Sequence, residues 1–397
     1  MTAEHATGSA RELNAAAMRA MVAGDFATAQ VMLRQALASN GDDIALWLNL
    51  AGCLRVQGDI AGAMTAVEQA LRVSPRSFMA LLMKGSLLER QGQVRQAARI
   101  YRPAIGLAPP ESQLDAATVQ ALRHARQVSD RYAEELAEFI GHRIGPAREK
   151  GSSAEAVRIN AFIDLATGRK RNFRQEPTDF FYPGLPALEF HEHEDFPWLR
   201  GLEAATAAIR EELLQILRDD FRDFVPYVAY PDGVPIDQWA ELNHSRRWGA
   251  LHLLLYGERV EQNCSRCPRT MEVLAQLPQP QVPQRSPAAM FSALQPKTRI
   301  PPHTGVANTR LVVHLPLIVP EGCGFRVGNQ TRPWREGQAW VFDDTIEHEA
   351  WNDSAQPRII MICDIWNPRL SPAERELISS AITAIDAFND ASPIADL

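Results

Sequence analysis

Small, apolar and polar positions follow two different patterns along the chain. Between about residues 10 and 110, three sets of positions recur every 34 residues. The recurring sets are Gly24-Asp25, Gly58-Asp59 and Gly92-Gln93; Ala29, Ala63 and Ala97; and Ala36-Leu37, Ala70-Leu71 and Ala104-Ile105. Glycine suits a turn between two helices, and small residues suit the places where helices touch. The pattern therefore predicts a series of stacked helix pairs.

The repeat length resembles that of the tetratricopeptide repeat, with units at about residues 10–43, 44–77 and 78–111. The resemblance implies antiparallel helix pairs stacked into a superhelix with a concave face. Helical patterns over 114–144 and 153–166 predict capping helices, so we assign residues 1–170 to an all-α domain. Two roles stay open for the array: binding a peptide or protein partner, or serving only as a solubilising or dimerising appendage.

The second pattern begins after a predicted linker at residues 168–178. Short apolar or alternating segments, separated by proline and glycine, predict the antiparallel strands of a sandwich or barrel. They cover residues 248–256, 289–294, 311–319, 324–327, 339–342 and 359–366. An amphipathic helix is predicted at 199–218, and a capping box formed by Ser371 and Glu374 predicts the start of a final helix. We expect a multi-domain α and β protein whose second, β-rich domain covers residues 175–397.

Composition agrees with this organisation. A chain of 397 residues exceeds the usual size of a single core. With 46% hydrophobic and 22% charged residues it is typical of soluble globular proteins. Its net charge of −7 gives no electrostatic basis for binding nucleic acid. No apolar run is long enough to span a membrane, and the polar N-terminus is not typical of a signal peptide. We expect a cytoplasmic protein with no membrane or nucleic-acid partner.

Two further groups of residues have the spacing of metal ligands. Cys264 and Cys267 are the one such cysteine pair among the five cysteines, which are too few for a disulfide framework. Either their thiols are reduced or locally paired, or they bind a metal, which would need two further ligands. His191 and His193 lie in an acidic loop, where we predict a solvated charge run.

Histidine and arginine positions in the second domain predict a metal site beside an anion site. His303 and His348 each begin or end an apolar run, which suggests opposing strands that bring the two imidazoles together. Arg358 opens a further β-branched run. Neutral imidazole suits iron among other metals, and a buried arginine can bind a carboxylate through two hydrogen bonds. We therefore predict iron and a dicarboxylate cosubstrate.

The predicted strand at 309–317 adds two more polar side chains to the same interior. Residues two apart share a strand face, so Arg310, Val312 and His314 point one way and the leucines and Val313 point the other. A buried guanidinium and imidazole would be costly without anionic ligands nearby. A purely structural role for all of these histidines and arginines together is therefore disfavoured.

Residues 292–368 resemble the aspartyl/asparaginyl β-hydroxylase family of Fe(II)- and 2-oxoglutarate-dependent oxygenases. The resemblance rests on Phe291-Ser292, His303-Thr-Gly, Asn308-Thr-Arg310, His314-Leu, Gly322-Cys, Phe342-Asp-Asp, Glu347-His-Glu-Ala-Trp351 and Asp364-Ile-Trp-Asn-Pro368. It is visible more weakly back to residues 182–185. In animal members of the family, too, tetratricopeptide repeats precede this domain.

The resemblance implies a double-stranded β-helix (jelly-roll) fold and an enzyme that uses O2 and 2-oxoglutarate. Such an enzyme hydroxylates an unactivated carbon of a peptide or protein side chain and releases succinate and CO2. The implied roles are iron binding by His303 and His348, cosubstrate binding by Ser292, His314 and Arg358, and substrate binding by Arg310. The tetratricopeptide groove is the expected holder of an extended peptide.

One position departs from the wider oxygenase class. The usual motif is His-x-Asp/Glu, but Gly305 occupies the carboxylate position here. The resemblance implies an iron site with two histidines that is completed by water. We expect Asp343 or Asp344 to hydrogen-bond that water from the second shell, with direct ligation by Asp344 as the alternative.

The substrate stays open. A hydroxylase of a lipid or small metabolite and a non-catalytic tetratricopeptide scaffold are the alternatives to a peptide hydroxylase. Animal members of the family carry an arginine where this chain has Val312. We hypothesise that the substrate is therefore not an aspartate of a disulfide-rich secreted domain but a less acidic or differently placed group on a peptide held by the tetratricopeptide groove. The alternative is that Arg310 alone suffices and Val312 serves only for packing.

Overall fold

The computed structural model describes residues 3–148, 153–219, 221–233 and 235–389. The chain divides into two compact units, Met1–Lys170 and Arg171–Leu397. The outer limits predicted for the two domains, residues 1 and 397, lie outside the described residues.

The first unit is helical. Its helices are α1 (Ala3–Val22), α2 (Phe26–Ser39), α3 (Ile44–Val56), α4 (Ile60–Val73), α5 (Phe78–Arg90), α6 (Val94–Gly106), α7 (Ala116–Arg148) and α8 (Ser153–Thr167). Gly24, Gly58 and Gly92 lie in the turns within the first three pairs, with φ values of +81°, +83° and +75° that other residues rarely adopt. Asp25 and Asp59 then cap α2 and α4 by accepting hydrogen bonds from backbone amides.

Packing between the helices explains the rest of the repeat. The alanines that recur every 34 residues all have no exposed surface; they are Ala29, Ala36, Ala63, Ala70, Ala97 and Ala104. A larger side chain at such a position would force neighbouring helices apart. The predicted array of three helix pairs followed by capping helices is confirmed.

The second unit contains two antiparallel sheets. Its strands are β1 (Val225–Pro226), β2 (Trp248–Leu255), β3 (Glu258–Arg259), β4 (Ala289–Leu294), β5 (Thr298–His303), β6 (Arg310–Ile318), β7 (Cys323–Val327), β8 (Gln330–Arg332), β9 (Trp340–Phe342), β10 (His348–Asn352) and β11 (Arg358–Trp366). The larger sheet has the order β1-β2-β4-β11-β6-β9, with β3 paired to β2, and the smaller sheet has the order β5-β10-β7-β8.

The larger sheet buries a different core on each face. On β6, Leu311 and Val313 pack in a cluster with helices of the same unit, whereas Val312 packs in a cluster that includes Ile300 and Phe325 of the smaller sheet. The helices of this unit are α9 (Leu199–Ala204), α10 (Thr206–Ile216), α11 (Glu261–Cys264), α12 (Pro268–Leu274) and α13 (Pro372–Phe388). The two sheets therefore face each other across a shared interior, as in a double-stranded β-helix.

Five of the strands escaped the sequence pattern: β1, β3, β5, β8 and β10. Two of the five, β5 and β10, carry both predicted metal-binding histidines. β5 contains Pro301 and Pro302, which have no backbone N–H, and its pairing with β10 shifts register beside them. β5 tolerates these prolines because it is an edge strand of the smaller sheet. β10 buries His348 and Asn352 at its two ends, so polar residues obscure its alternation.

Two other predictions need correction. The helix expected over 199–218 is divided into α9 and α10 at Ala205. The linker expected over 168–178 is shorter, because residues 175–182, here named the strap, are hydrogen-bonded to the rest of the second unit. The capping box of Ser371 and Glu374 is confirmed at the start of α13. No helix among the described residues is long and apolar enough to cross a membrane.

Candidate active site

The two histidines predicted to bind a metal lie side by side. His303 is the last residue of β5, and it pairs directly with His348, the first residue of β10. Their ring centroids are 4.1 Å apart. Both line a cavity of about 880 Å³ between the two sheets.

Each imidazole is oriented by a main-chain carbonyl. Nδ1 of His303 lies 2.8 Å from the Pro301 oxygen, and Nδ1 of His348 lies 3.1 Å from the Ile346 oxygen. A carbonyl oxygen can only accept, so each Nδ1 carries the proton and each Nε2 keeps a lone pair for a ligand. Burial lowers the pKa of both rings, to about 4 for His348 and well below its usual range for His303. Both are neutral at physiological pH, as metal binding requires.

Asp344 occupies the place left by the missing side chain at Gly305. A Cβ built on Gly305 would overlap the Asp344 carboxylate, and the Gly305 amide donates to the Asp344 carbonyl oxygen at 2.7 Å. Asp344 Oδ2 also lies 3.1 Å from Nη2 of Arg310, and both side chains are buried. A carboxylate thus reaches the vicinity of the histidine pair from the loop before β10 instead of from the motif that follows His303.

Asp343 points elsewhere. Its Oδ1 accepts from the Thr345 hydroxyl at 2.6 Å and its Oδ2 from Nε2 of Gln175 at 2.5 Å. It is fully buried and does not line the cavity, and burial raises its pKa to about 6. Of the two aspartates that we expected near a metal-bound water, the structure brings only Asp344 to the cavity. Arg310 does not line the cavity either.

The other end of the cavity holds Arg358, His314 and Ser292. Arg358 begins β11 and is 1% exposed, and its guanidinium carbon lies 5.5 Å from the ring centroid of Trp334. The His314 ring stacks on Trp334 at 5.7 Å. The Ser292 hydroxyl accepts from Nε1 of Trp248 at 3.1 Å. All of these side chains line the cavity.

This end is short of acceptors and of negative charge. Nε and Nη1 of Arg358 and Nδ1 of His314 are buried without a hydrogen-bond partner among the described residues. No carboxylate in the described part of the chain forms an ion pair with Arg358, and burial lowers its pKa to about 10. Burying an uncompensated charge is costly. The donors therefore fit an anionic ligand, and a carboxylate is the simplest group that satisfies them.

The strap connects the loop that follows His303 to the loop that precedes His348. Backbone amides of Glu176 and Thr178 donate to the oxygens of Thr345 and Gly305 at 2.7 and 3.0 Å. Gln175 binds Asp343 through Nε2 and accepts from Nδ2 of Asn308 at 3.1 Å. Sequence reasoning missed Gln175, because a single glutamine in an irregular segment carries no pattern. Asn308 was quoted only as part of a motif.

An aromatic wall flanks His303. Trp239 meets the His303 ring edge-on at 5.1 Å, and Tyr227 stacks on Trp248 at 3.9 Å. Burial raises the pKa of the Tyr227 hydroxyl, which also lies within reach of the charges of Arg310 and Asp344. These aromatics lie in irregular segments before β2 and at its start, so sequence alone gave no sign of their role.

The other predicted features have structural explanations. All five cysteines are free, and Cys264 Sγ donates to the Leu253 oxygen at 3.1 Å. No group of three or more potential metal-ligating side chains was found within the described ranges. His191 is not solvated as expected: it is 7% exposed, because its backbone amide donates to Val341 and its ring packs on Phe196.

Comparison with known proteins agrees with both units. The family model for aspartyl/asparaginyl beta-hydroxylase matches residues 203–368, and two tetratricopeptide-repeat models match residues 20–83 and 56–112. Fold and site thus define a tetratricopeptide protein with a hydroxylase-family domain. The chain belongs to the aspartyl/asparaginyl beta-hydroxylase family.

Individual relatives differ in length and description. Human aspartyl/asparaginyl beta-hydroxylase is 28% identical over 320 residues, which is 80% of this chain and 38% of the human protein. This chain therefore spans about two fifths of that relative. The ornithine lipid ester-linked acyl 2-hydroxylase of Rhizobium tropici is 35% identical over 206 residues, 50% of this chain and 67% of that protein. Among solved structures, the Arabidopsis OM64 TPR domain aligns with 31% of this chain and 98% of its own, at 20% identity and a TM-score of 0.27.

Proposed function

We propose that this protein is an Fe(II)- and 2-oxoglutarate-dependent hydroxylase. The observation that carries the proposal is Arg358, a buried cation with unsatisfied donors in the same cavity as two neutral histidines. A metal that prefers imidazole and a cosubstrate that brings carboxylates would satisfy both ends of that cavity. Bound iron and 2-oxoglutarate would together reduce O2, releasing succinate and CO2 and placing one oxygen atom in a C–H bond of the substrate.

The histidine end would hold the metal. His303 and His348 offer Nε2 lone pairs, and the carbonyls of Pro301 and Ile346 fix both rings. Asp344, held by Arg310, lines the same cavity with its carboxylate against Gly305. We propose that it hydrogen-bonds a metal-bound water, with direct ligation as the alternative. Ordered partners of this kind tune the affinity of a metal site.

The arginine end would hold the cosubstrate. Arg358, with Ser292 beside it on the paired strand β4, would bind the distal carboxylate. His314 would contact the carboxylate nearer the metal. Trp334 and Phe325 line the same end and would exclude water, which strengthens these charged hydrogen bonds.

Two substrate classes are supported to different degrees. The repeat array favours a peptide or protein, because stacked helix pairs form extended binding surfaces. The description of the Rhizobium relative and the apolar residues of the cavity support a lipid as the second candidate.

Succinate production by the full-length chain tests the proposal. With Fe(II), O2 and 2-oxoglutarate, we expect succinate and CO2 to form slowly without substrate and faster with one. Arg358→Met should abolish turnover while metal still binds. Unaltered succinate formation by Arg358→Met, or none by the wild-type protein that binds both iron and 2-oxoglutarate, would contradict the proposal.

A further inference from the structure

The part of the cavity lining formed by Val312, here named the floor, is apolar. Val312 lies on β6 between Arg310 and His314 and lines the cavity at 2% exposure. Arg310, its neighbour on the same strand face, binds Asp344 instead of lining the cavity. A substrate carboxylate that reached Val312 would thus be buried against a hydrocarbon side chain, and the cation on the same strand face, Arg310, is already paired with Asp344. Such burial is strongly unfavourable.

The rim of the same cavity is acidic and aromatic. Glu176 is exposed and lines the cavity, whereas Glu347, which lines it beside His348, already forms an ion pair with Arg326. Tyr230 and Tyr256 are 39% and 38% exposed and also line it. Apart from Arg358 at the opposite end, no lysine or arginine belongs to the lining in the part of the chain that the structure describes. Carboxylates and exposed aromatic faces both attract cations.

We propose that the substrate presents an uncharged aliphatic side chain to the floor at Val312 and carries basic groups on either side of it, which lie at the rim. The inference rests on the proposed function and names the substrate class of that site as a basic peptide. The aliphatic chain would lie against Val312 and the Tyr227 and Trp239 rings. The flanking cations would lie near Glu176, Tyr230 and Tyr256.

Four matched heptapeptides test this. They combine a central leucine or glutamate with lysine or glutamate on both sides, in a glycine background with blocked ends. Binding is measured by calorimetry on the full chain loaded with 2-oxoglutarate and Zn(II), which has no redox chemistry of its own. Binding of 2-oxoglutarate is measured first. If 2-oxoglutarate does not bind, the result counts against the proposed function. The preference among the four peptides is a separate measurement and tests only the present inference.

The leucine peptide with lysine flanks should bind at least about tenfold more tightly than the glutamate peptide with glutamate flanks. Glu176→Gln should weaken the binding of the lysine-flanked peptides by about twofold to fivefold, which is the effect expected of an exposed charge pair. The affinity for the glutamate-flanked peptides should stay the same or increase. Val312→Arg should increase the affinity for peptides with a central glutamate relative to those with a central leucine. Val312→Leu serves as the matched control. Equal binding of all four peptides, or preference for glutamate at the centre or the flanks, would overturn the inference.

Discussion

The carboxylate of Asp344 lies against Gly305, in the volume that a side chain at that position would fill. Two residues 39 positions apart in sequence (344 − 305) are thus mutually dependent. The chain supplies a carboxylate to the site from a loop and keeps a glycine opposite so that the loop can approach. The dependence can be tested without knowing the substrate.

Gly305→Ala should displace Asp344 and weaken metal binding. The new methyl group overlaps the carboxylate, so the loop before β10 has to move and His348 moves with it. We expect metal affinity to fall by about tenfold to a hundredfold, the usual effect of disturbing groups that orient ligands. Calorimetric titration with Mn(II) or Fe(II) without O2 measures it. Gly201→Ala is the control, since nothing lies within 4 Å of a Cβ there. Wild-type affinity in Gly305→Ala would show that Asp344 is irrelevant to the metal.

One metal ion per chain should bind, and it should be lost in His303→Ala and in His348→Ala. Each substitution removes one of the two imidazoles that lie side by side across the β5–β10 pair. His252→Gln is the control, because His252 is a half-buried histidine on β2 outside the cavity lining. Iron content after anaerobic loading and desalting is the measurement. If both alanine variants retain a full equivalent, the metal lies elsewhere.

Arg358→Met should abolish 2-oxoglutarate binding and stabilise the ligand-free protein. The guanidinium is buried without a carboxylate partner among the described residues, so its removal relieves a desolvation cost. Loss of the charge pair with the ligand should weaken 2-oxoglutarate binding by roughly 3–5 kcal/mol. Thermal unfolding and calorimetry measure the two effects. The exposed Arg299→Met is the control, and a lower melting temperature in Arg358→Met would show that the cation has a structural partner.

Gln175→Ala should loosen the site without unfolding the sheet. Gln175 joins Asp343, just before the His348 loop, to Asn308, just after the His303 loop. Its loss leaves buried Asp343 with fewer donors, at a cost of about 1–3 kcal/mol. We expect weaker metal binding and faster amide hydrogen exchange at residues 304–308 and 343–347. The control is Gln330→Ala on edge strand β8, which is exposed. If the exchange rates are the same as in the wild-type protein, the strap does not stabilise the site.

Acid should destabilise the second unit between about pH 6.5 and pH 4. Burial lowers the pKa of His191 and His252 to about 4, so the unfolded chain takes up protons below pH 6.5 that the folded one does not. Each such histidine costs roughly 1 kcal/mol of stability per pH unit over that range. Asp343 acts in the opposite sense, because burial raises its pKa to about 6.

Urea unfolding of the metal-free protein at pH 7, 6 and 5 measures this dependence. Tryptophan fluorescence reports mainly the second unit, since of the eight tryptophans only Trp47 precedes residue 171. His252→Gln should give a shallower dependence than wild type. Stability that is flat or rising as the pH falls would contradict the buried, neutral state of these rings.

Sequence determined those features that depend on a local period. The 34-residue repeat required glycine at the turns and alanine between helices, and the structure has them there. Strand alternation correctly divided β6 between two faces, because residues two apart always share a face. Residue chemistry also singled out His303, His348 and Arg358, which share one cavity.

Tertiary structure decided the remainder, because it depends on contacts between residues distant in sequence. β5 forms a strand despite its two prolines because it lies at the edge of the smaller sheet, where only one side of the strand is paired. The loop before β10 brings Asp344 and not Asp343 to the cavity and pairs it with Arg310, a choice between the two aspartates that the sequence had left open. The residues of the strap show no hydrophobic periodicity. The strap belongs to the site only because its backbone amides donate hydrogen bonds to the carbonyl oxygens of Gly305 and Thr345. The sequence pattern predicts on which face of a strand a side chain lies, but it does not predict which residue, distant in sequence, that side chain will contact.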